Sequence, residues 1–509
     1  MKLGELISVL DRPEVQGSLE CEVTGLTYDS RAVAPGMLFV AVCGLQQDGH
    51  RYVEQAMTRG AAAAVVEKTG SYRPFQIRSC VIQVKDTRKA LSALAHQFYG
   101  RPSHRMGLIG VTGTNGKTTT TYLIKGILEA AGKKMGLVGT VNYHIGQEVL
   151  PASHTTPESL DLHQLLARMV QAGVEYMVME VSSHALALDR VADCAFDVGV
   201  FTNLTQDHLD FHGSLENYFE AKLKLFLRLG VGNPKSFPRM AVVNRDDPRA
   251  PRVMASTQIP CWTYGEGKQV DLSPEDLKMD FDGIRFFART PKGEFEVQSD
   301  LTGRYNVSNI LAAIGVALSQ DIPIPVIQKG IKQTPQVPGR FEKVQEGQNF
   351  LVIVDYAHTD DALQKLLLAV RELRVSAGSA SGRILTVFGC GGDRDRGKRP
   401  KMGRVAAELS DWVILTSDNP RTEDPMGIIR EIAAGMKQKL DSHGRQTDCL
   451  IIPNRSEAIA RAISLAQSGD IVVIAGKGHE DYQIIGGRRL HFDDREVARE
   501  ALRGLKAKG

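Results

Sequence analysis

The chain has 509 residues, 42% of them hydrophobic and 24% charged, which is typical of a globular protein with several domains. Its 62 basic and 59 acidic residues leave a formal net charge of +3, too small to favour nucleic acid as a partner. Seven scattered cysteines without a CxxC pair, no export signal at the N-terminus and no membrane-length apolar run predict a cytoplasmic chain that does not insert into a membrane.

The first hundred residues predict a small α/β domain. LFVAV and CVIQV are strand-like, AMTRGAAAAVVE changes from a helical to a strand pattern, and KALSALAHQFYG is helical before the break RPSH at 101–104. From Met106 to about Pro338, the apolar runs MGLIGV, YMVMEV, DVGVFTN and MAVVN alternate with helical stretches. This alternation predicts a parallel sheet of a nucleotide-binding domain.

A third block follows the break TPQVPG. Five apolar runs alternate here with helices, namely FLVIVDYAH, GRILTVFGCGG, WVILTSDNP, CLIIPNR and DIVVIAGKGHE. The helical stretch DALQKLLLAVREL places five apolar side chains on one face, those of Leu363, Leu366, Leu367, Val370 and Leu373. Each run ends in polar or glycine-rich sequence, as expected for ligands at the carboxyl edge of an open parallel sheet. We predict an α/β chain with domains at residues 1–104, 105–338 and 339–509.

The segment GVTGTNGKTTT at 110–120 predicts a phosphate-binding loop between a strand and a helix that stops at Gly132. The strict P-loop pattern needs a glycine at position 111, which is Val111 here. Gly113 and Gly116 still permit the turn, while Lys117 supplies a cation and Thr118 a hydroxyl for Mg²⁺. We expect a nucleoside triphosphate; the alternative is an ordinary βα turn with chance glycines.

Three polar groups follow the central apolar runs. Glu180 ends YMVMEV, where its carboxylate could reach Mg²⁺ or cap the following SSHAL turn. His208 lies in the polar loop TNLTQDHLDFHG, and a lone histidine there could be part of the scaffold. Lys222 lies on the apolar stripe of the next helix, whereas Lys224 points to the opposite, solvated face. Lys222 therefore either faces inward with a partner or a chemical modification, or reaches solvent along the stripe.

Ten motifs in a fixed order identify a family resemblance, namely TGTNGKTTT, MEVSSHAL, FTNLTQDHLDFHG, EAKLKLF, GRYNVSNILAAI, VPGRFE, DYAH, GCGGDRDRGKRP, SDNPR and GKGHE. Across essentially its whole length the chain resembles the Mur ligase family of ATP-dependent amide-forming enzymes. The resemblance implies an N-terminal UDP-sugar-binding domain, a central P-loop ATPase domain and a C-terminal Rossmann-like amino-acid-binding domain. It also implies that meso-2,6-diaminopimelate is joined to the D-glutamate of UDP-N-acetylmuramoyl-L-alanyl-D-glutamate through an acyl phosphate, for peptidoglycan synthesis. We expect a monomer.

The resemblance assigns roles around ATP and Mg²⁺. Lys222 matches a lysine that CO₂ carbamylates in the family, so it is expected as a carboxylate-like Mg²⁺ ligand. The implied metal ligands are Thr118, Glu180, His208 and Lys222, and the implied catalytic residues are Lys117, Glu180, His208 and Lys222. The implied ATP-binding residues are Gly113, Thr114, Asn115, Gly116, Lys117, Thr118, Thr119, Asn309, Arg340 and Asp355. By spacing alone, Asn306 and Asn309 could instead be helix caps.

The resemblance also assigns the two other substrate sites. The UDP-sugar peptide is expected to contact Ser30, Gln46, His50, Thr155, Thr156, Ser182 and Arg190. The diaminopimelate site is expected at Arg394, Asp418, Asn419, Pro420, Arg421, Gly476 and Glu480. Two positions depart from the family pattern, because Leu188 stands where relatives can have a polar contact and Asp360 where a proline is common.

Arg421 is expected to select diaminopimelate over lysine. A planar guanidinium can hold the extra carboxylate with two parallel hydrogen bonds, and lysine would leave it unpaired. Pairing of Arg421 with Glu423 or Asp424 on its own loop is the alternative. Two other functions remain open, a lysine-adding or folate-polyglutamate-type ligase and a nucleotide-binding switch. The DNPR motif and the full-length first domain argue against the first, and the polar strand ends argue against the second.

Overall fold

The computed structural model describes residues 1–44, 47–67, 80–231, 235–267, 269–280, 283–376, 382–436 and 448–506. Gln46 therefore lies outside the described residues. The chain forms three α/β units, and every sheet takes its strands from one predicted block. The three-domain α/β prediction is confirmed; the boundary positions stay a prediction.

The first unit contains a five-stranded sheet. Its strands are Glu14–Gln16 (β1), Gly25–Thr27 (β2), Met37–Val40 (β3), Ala63–Glu67 (β4) and Cys80–Val84 (β5), and its α-helices are Leu3–Ile7 (α1), Val53–Thr58 (α2) and Thr87–Phe98 (α3). Short 3₁₀ helices span Ser30–Ala32, Gly49–Tyr52 and Pro102–His104. The sheet order is β1-β5-β4-β3-β2, and only the pairing of β1 with β5 is antiparallel.

The central unit is built on an eight-stranded sheet. Its strands are Gly107–Thr112 (β6), Met135–Val138 (β7), Asn142–Ile145 (β8), Glu148–Pro151 (β9), Tyr176–Glu180 (β10), Val198–Phe201 (β11), Met240–Asn244 (β12) and Cys261–Tyr264 (β13). Its helices are Lys117–Ala130 (α4), Ser159–Gln171 (α5), Ser183–Ala187 (α6), Leu209–His212 (α7), Leu215–Arg228 (α8), Ala250–Ser256 (α9), Tyr305–Ser319 (α10) and Ile324–Gln333 (α11).

The order of this sheet is β13-β12-β11-β6-β10-β7-β8-β9, antiparallel only at β8 and β9. Both faces are buried: Leu108 belongs to one apolar cluster, and Ile109 and Val111 belong to the other. Burial on both faces explains why these strands read as continuous apolar runs. Because β6 lies between β10 and β11, the loops after these three parallel strands meet at one edge.

A separate antiparallel sheet was not predicted. It consists of Ser273–Met279 (β14), Ile284–Thr290 (β15) and Gly293–Ser299 (β16) in that order. The burial of β15 alternates along the strand, with Ile284, Phe286, Ala288 and Thr290 buried. That period of two in IRFFART is the signal that would have revealed it.

The third unit contains a six-stranded sheet and a hairpin. Its strands are Glu342–Lys343 (β17), Leu351–Asp355 (β18), Ile384–Phe388 (β19), Trp412–Leu415 (β20), Asp448–Ile451 (β21) and Ile471–Ala475 (β22), with the hairpin Tyr482–Ile485 (β23) and Arg488–His491 (β24). Its helices are Asp360–Ser376 (α12), Lys398–Leu409 (α13), Pro425–Met436 (α14), Arg455–Leu465 (α15) and Asp494–Lys506 (α16).

The order of the third sheet is β17-β18-β22-β19-β20-β21, parallel apart from β17. The five predicted strands and the buried apolar stripe on α12 are confirmed. The edge strand β17 and the hairpin were not predicted. In the described parts of the chain, no helix combines the length and apolar character that a membrane span requires.

Candidate active site

A cavity of about 390 Å³ lies where the central and third units meet. It brings together the loop before α4, the end of β10, the loop after β11, helix α10 and the loop after β18. The predicted site residues that line it are Thr114, Asn115, Gly116, Lys117, Thr118, Thr119, Thr155, Glu180, Ser182, His208, Lys222, Asn309, Arg340 and Asp355. Residues far apart in the sequence thus share one site.

The phosphate-binding loop has the backbone that its two glycines permit. Gly113 and Gly116 have φ angles of +150° and +87°. A Cβ at Gly113 would lie 1.9 Å from Thr202 Oγ1, and one at Gly116 would lie 2.4 Å from Asn309 Oδ1. Gly116 caps α4 without a side-chain hydrogen bond, so the amides of the first helical turn remain for a ligand. This geometry fits an anion.

The ammonium groups of half-buried Lys117 and buried Lys222 converge on one carbonyl of this loop. Lys117 Nζ donates to the oxygens of Gly113 at 2.9 Å and Thr114 at 2.8 Å, and Lys222 Nζ donates to Gly113 at 2.7 Å. Burial lowers the pKa of Lys117, which Glu180 opposes. Burial and the charge of Lys117 hold the pKa of Lys222 well below its ordinary value.

Lys222 faces inward and is 1% exposed. The alternative prediction, in which Lys222 reaches solvent along the apolar stripe of α8, is therefore wrong. Its ammonium also lies 4.5 Å from the centre of the Tyr218 ring. Lys224 is half-buried and donates to the Leu186 carbonyl at 3.2 Å, so the expectation of a solvated lysine there is corrected. Helix α6 packs against α8 and provides that carbonyl.

Glu180 is a buried carboxylate at the end of β10. Its Oε1 accepts from Thr140 N at 2.9 Å and its Oε2 from Thr140 Oγ1 at 3.1 Å. The helix-cap alternative is wrong, because Ser182 caps α6 by accepting from Ala185 N. Thr140, just beyond β7, was missed by the sequence analysis; its position after an apolar run was the available signal.

His208 has a φ of +52° at the residue before α7. Its Nε2 lies 3.3 Å from Asp207 Oδ2, and its ring centre lies 4.8 Å from that of His184. The side chain of His208 is exposed, and partial desolvation by the surrounding protein lowers the pKa of its ring, which Asp207 opposes. Among the described residues, no three His, Cys, Asp or Glu side chains are arranged to hold a metal ion by themselves.

Asn306 and Asn309 are buried within α10 and do not cap it, so the cap alternative is wrong. Asn309 Nδ2 donates to Asn306 Oδ1 at 2.9 Å, and Thr120 Oγ1 donates to Asn309 Oδ1 at 3.3 Å. Asn309 therefore lies directly against the phosphate-binding loop and α4.

The third unit contributes Arg340 and Asp355 to the cavity. Arg340 Nη2 donates to Thr118 Oγ1 at 3.3 Å, and its guanidinium lies 4.7 Å from the centre of the Tyr356 ring. Asp355 accepts from Phe341 N and Ala357 N, and burial raises its pKa. Tyr356, which belongs to the DYAH motif, and Asp361, which follows shortly after it, were missed.

Four of the predicted sugar-peptide residues lie together near the cavity. Thr156 Oγ1 donates to the Glu180 carbonyl, and Ser182 N donates to Thr156 Oγ1. Arg190 Nη1 donates to the Thr156 carbonyl at 3.1 Å, and Thr155 Oγ1 lies 3.1 Å from Thr140 Oγ1. Leu188 follows α6 as its C-cap residue.

Ser30 and His50 lie in the first unit, outside the residues that line the cavity. Ser30 Oγ donates to Gln55 Oε1 at 3.0 Å. His50 is buried, and its Nδ1 lies 2.6 Å from Asp48 Oδ1 while its Nε2 accepts from Glu67 N. Both ring nitrogens of His50 therefore have partners in this structure.

The predicted acceptor residues form a second polar group in the third unit. Asn419 Nδ2 donates to Glu480 Oε2 at 2.9 Å, and Lys477 Nζ donates to the same oxygen at 3.0 Å. Gly476 has a φ of +114°, and a Cβ there would lie 2.8 Å from Asp418 Oδ2. Pro420 is buried beside them, and Arg394 is exposed.

Arg421 has a φ of +52°, and its Nη1 donates to the Gly392 carbonyl at 2.7 Å. The alternative that it pairs with Glu423 or Asp424 is wrong. Glu423 is paired with Arg399 at 2.8 Å, and Asp424 caps α14. Within the described ranges, no carboxylate lies within ion-pair distance of Arg421.

Fold and site together define an α/β protein of three units. The glycine-containing turn before α4, whose geometry fits an anion, faces a cavity between the central unit and the third unit. Three family models match it: the Mur ligase family catalytic domain at residues 22–99, the Mur ligase middle domain at 111–317 and the Mur ligase glutamate ligase domain at 339–478. The chain belongs to the Mur ligase family.

Similar proteins cover the full chain. UDP-N-acetylmuramoyl-L-alanyl-D-glutamate–2,6-diaminopimelate ligase of Solibacter usitatus is 48% identical over 506 residues, 99% of each chain. The protein of that name from Geobacillus kaustophilus is 48% identical over 503 residues, again 99% of each. A solved structure of such a ligase is 32% identical, with a TM-score of 0.68 over 99% of both chains. MurF ligase from Thermotoga maritima in complex with ADP shares the fold at 19% identity, with a TM-score of 0.60 over 96% of this chain and 99% of that one.

Proposed function

We propose that this chain joins meso-2,6-diaminopimelate to the D-glutamate of UDP-N-acetylmuramoyl-L-alanyl-D-glutamate, with cleavage of ATP. The observation that carries the proposal is the 48% identity, over 99% of both chains, to ligases that bear this name. The described cavity supports it, because phosphate-binding and carboxylate groups lie together there.

ATP is proposed to bind across the central and third units. Its phosphates would lie on the turn from Gly113 to Thr119, where the amides of the first turn of α4, the helix dipole and Lys117 favour anions. Asn309 and Asp355 are proposed to contact the rest of the nucleotide, and Arg340 is proposed to contact its phosphates. Arg340 already lies beside Thr118, which supports its role at the phosphates.

Mg²⁺ is proposed to bind at Thr118, Glu180, His208 and a carbamate on Lys222. The donors fit a hard cation only if further oxygens complete the set, and phosphates, water and a carbamate would supply them. The low pKa of buried Lys222 supports carbamylation, since only a neutral amine attacks CO₂. When bound, Mg²⁺ would neutralise charge on the phosphates.

The reaction proposed at this site has two steps. The γ-carboxylate of D-glutamate attacks the terminal phosphorus of ATP, which releases ADP and leaves an acyl phosphate. The amine of diaminopimelate then attacks the acyl carbon, phosphate leaves, and the amine loses a proton as the amide forms. Lys117 is proposed to stabilise the transferring phosphoryl group.

The other substrate groups are proposed to be read by the remaining predicted residues. Thr155, Thr156, Ser182 and Arg190 would contact the sugar peptide near the cavity, and Ser30, Gln46 and His50 would act in the first unit. Arg394, Asp418, Asn419, Pro420, Arg421, Gly476 and Glu480 would bind diaminopimelate. The guanidinium of Arg421 has no carboxylate partner among the described residues, which supports recognition of the extra carboxylate of diaminopimelate. The chain is proposed to act as a cytoplasmic monomer with domains at residues 1–104, 105–338 and 339–509.

Phosphate release tests the function directly. ATP and the UDP-muramoyl dipeptide are supplied with diaminopimelate, with lysine or with no amine. Phosphate release is measured, and the mass of the product is determined by mass spectrometry. We expect release and tripeptide only with diaminopimelate. Lys117→Ala should abolish both, whereas Lys125→Ala, which removes a lysine paired with Glu129 on the same helix, should not. Phosphate release that is indifferent to the acceptor would contradict the proposal.

A further inference from the structure

One carboxylate of the third unit bonds directly to the phosphate-binding loop of the central unit. Asp361 Oδ2 accepts from Asn115 Nδ2 at 3.1 Å and from Thr205 Oγ1 at 2.9 Å. It also accepts from Lys365 Nζ at 2.9 Å, one turn further along α12. Two of the three donors thus belong to the other unit.

The donors on the central unit are held firmly. Asn115 N donates to Asn203 Oδ1 at 3.0 Å, and the Asn115 carbonyl accepts from Thr202 Oγ1 at 2.6 Å. Thr205 N donates to Thr114 Oγ1 at 3.0 Å, and Thr114 Oγ1 donates to the Thr205 carbonyl at 3.2 Å. The side chains that reach Asp361 are therefore fixed to the phosphate-binding loop.

Asp361 is fixed equally well to the third unit. It lies in the first turn of α12, and Ala362 N of that turn donates to Thr359 Oγ1 at 3.2 Å. Leu363 and Leu367 on the same helix are 0% exposed and pack in the core of the third sheet. Any movement of the third unit away from the central unit would therefore break the bonds of Asp361 to Asn115 and Thr205.

We propose that Asp361 is a positioning residue that holds the third unit closed over the phosphate-binding loop. The inference rests on the proposed function, because it assigns Asp361 to the assembly of the nucleotide site from both units. A charged hydrogen-bond acceptor with two neutral donors stabilises a contact more than a neutral pair does. Asp361 itself does not line the cavity.

Loss of the contact should lower the fraction of molecules in the closed arrangement. The apparent Kd of a ligand that contacts both units then rises in inverse proportion to the closed fraction, whereas a saturating concentration of the ligand restores closure. Loss of Asp361 should therefore raise the Kd and KM for ATP and leave kcat nearly unchanged. A purely structural role in helix α12 would change thermal stability without this split.

The chain offers a matched control in the preceding residue. Asp360 lies in the same first turn and carries the same charge, but its carboxylate makes no hydrogen bond or ion pair within the described ranges. Asp360→Asn and Asp361→Asn thus remove the same charge from the start of α12. On the other side of the contact, Thr205→Val removes the donor hydroxyl and Thr205→Ser retains it.

The test combines binding of a non-hydrolysable ATP analogue, small-angle scattering of the ligand-free chain and steady-state kinetics. We expect Asp361→Asn and Thr205→Val to raise the Kd and KM for nucleotide about tenfold, with kcat within about twofold of the unaltered chain. Both should increase the radius of gyration. Asp360→Asn and Thr205→Ser should match the unaltered chain.

Unchanged nucleotide affinity and radius of gyration in Asp361→Asn and Thr205→Val would overturn the proposal, as would a fall in kcat without a rise in KM. If Asp361→Asn does not fold, the pair Thr205→Val and Thr205→Ser decides alone. If the unaltered chain makes no tripeptide with any amine, the proposed function fails. The affinity and scattering measurements still test Asp361 in that case, because neither needs catalysis.

Discussion

At the residue scale, the Gly113 carbonyl is the point where two ammonium groups meet. Lys117 and Lys222 both donate to it, and burial together with the charge of Lys117 lowers the pKa of Lys222. A buried lysine without a carboxylate is costly, so a neutral or modified Lys222 resolves the conflict. The sequence placed Lys222 on an apolar stripe, but only the fold brought Lys117 against it.

Replacement of Lys222 tests its chemical role. We expect Lys222→Met to lower kcat by at least about 100-fold, because a carboxylate-like metal ligand would be lost. Lys224→Met on the same helix is the control. Depletion of bicarbonate should lower the activity of the unaltered chain reversibly, and ¹³C-bicarbonate should give a carbamate signal that Lys222→Met lacks. Equal activity of the two variants would contradict the assignment.

The proposed role of Arg421 in the choice of acceptor can be tested by substitution. Lysine and arginine bear the same backbone strain at a φ of +52°, so Arg421→Lys isolates the guanidinium. We expect the KM for diaminopimelate to rise at least about tenfold and the preference over lysine to shrink, because bidentate carboxylate binding is lost. Arg404→Lys, at an exposed position on α13, is the control. An unchanged preference would argue that another group reads the carboxylate.

At the scale of elements, the strand, glycine turn and helix from Gly107 to Ala130 form one phosphate-binding unit. Their order was predictable, because apolar runs and glycines act locally. The antiparallel strands β14 to β16 were missed although IRFFART carried their period of two, and the hairpin β23 and β24 was missed because its mostly exposed strands bear little apolar pattern. Sequence spacing also left open whether Asn309 caps a helix, and only the folded structure shows that it lies inside α10.

Alanine substitutions at Gly116 and Gly132, the glycines before and after α4, separate the cost of backbone strain from the cost of a steric clash. Gly132 has a φ of +76° with nothing within 4 Å of an added Cβ, whereas Gly116 would collide with Asn309. We expect Gly132→Ala to cost about 1 kcal/mol of unfolding free energy and to leave ATP affinity intact. Gly116→Ala should weaken ATP binding at least about tenfold, since the loop or Asn309 must move. Calorimetric titration and urea unfolding measure both, and equal ATP affinities would contradict the collision argument.

At the scale of the whole molecule, three histidines lie between the first and central units. His163 on α5 is 0% exposed, its ring centre lies 5.1 Å from that of His96 on α3, and His104 lies beyond His96. Among the residues that the structure describes, neither ring nitrogen of His163 has a hydrogen-bond partner. Burial lowers the pKa of His163 to about 3, and burial with the charges of His104 and Arg101 lowers that of His96 to about 4.

Acid should therefore destabilise this chain through His163. The unfolded state takes up the proton near pH 6.5 and the folded state only near pH 3, so stability is highest above pH 6.5 and falls as the pH drops between these values. At pH 5, His163 should lower the unfolding free energy by about 2 kcal/mol relative to pH 7. His163→Phe should reduce that loss in urea unfolding, and His154→Phe, at an exposed site, should not. An unchanged pH dependence in His163→Phe would contradict the assignment.

The sequence by itself determined the order of the main elements, the strand, glycine turn and helix around Gly113, and the family, because glycines, apolar periodicity and contiguous motifs act over short stretches of chain. The tertiary structure decided which polar groups meet. It brought Lys222 to Gly113, Thr140 to Glu180 and Asp361 to Asn115, and it paired Glu423 with Arg399 rather than with Arg421. These contacts join segments tens to hundreds of residues apart, and their geometry follows from the packing of whole sheets, which no local pattern encodes.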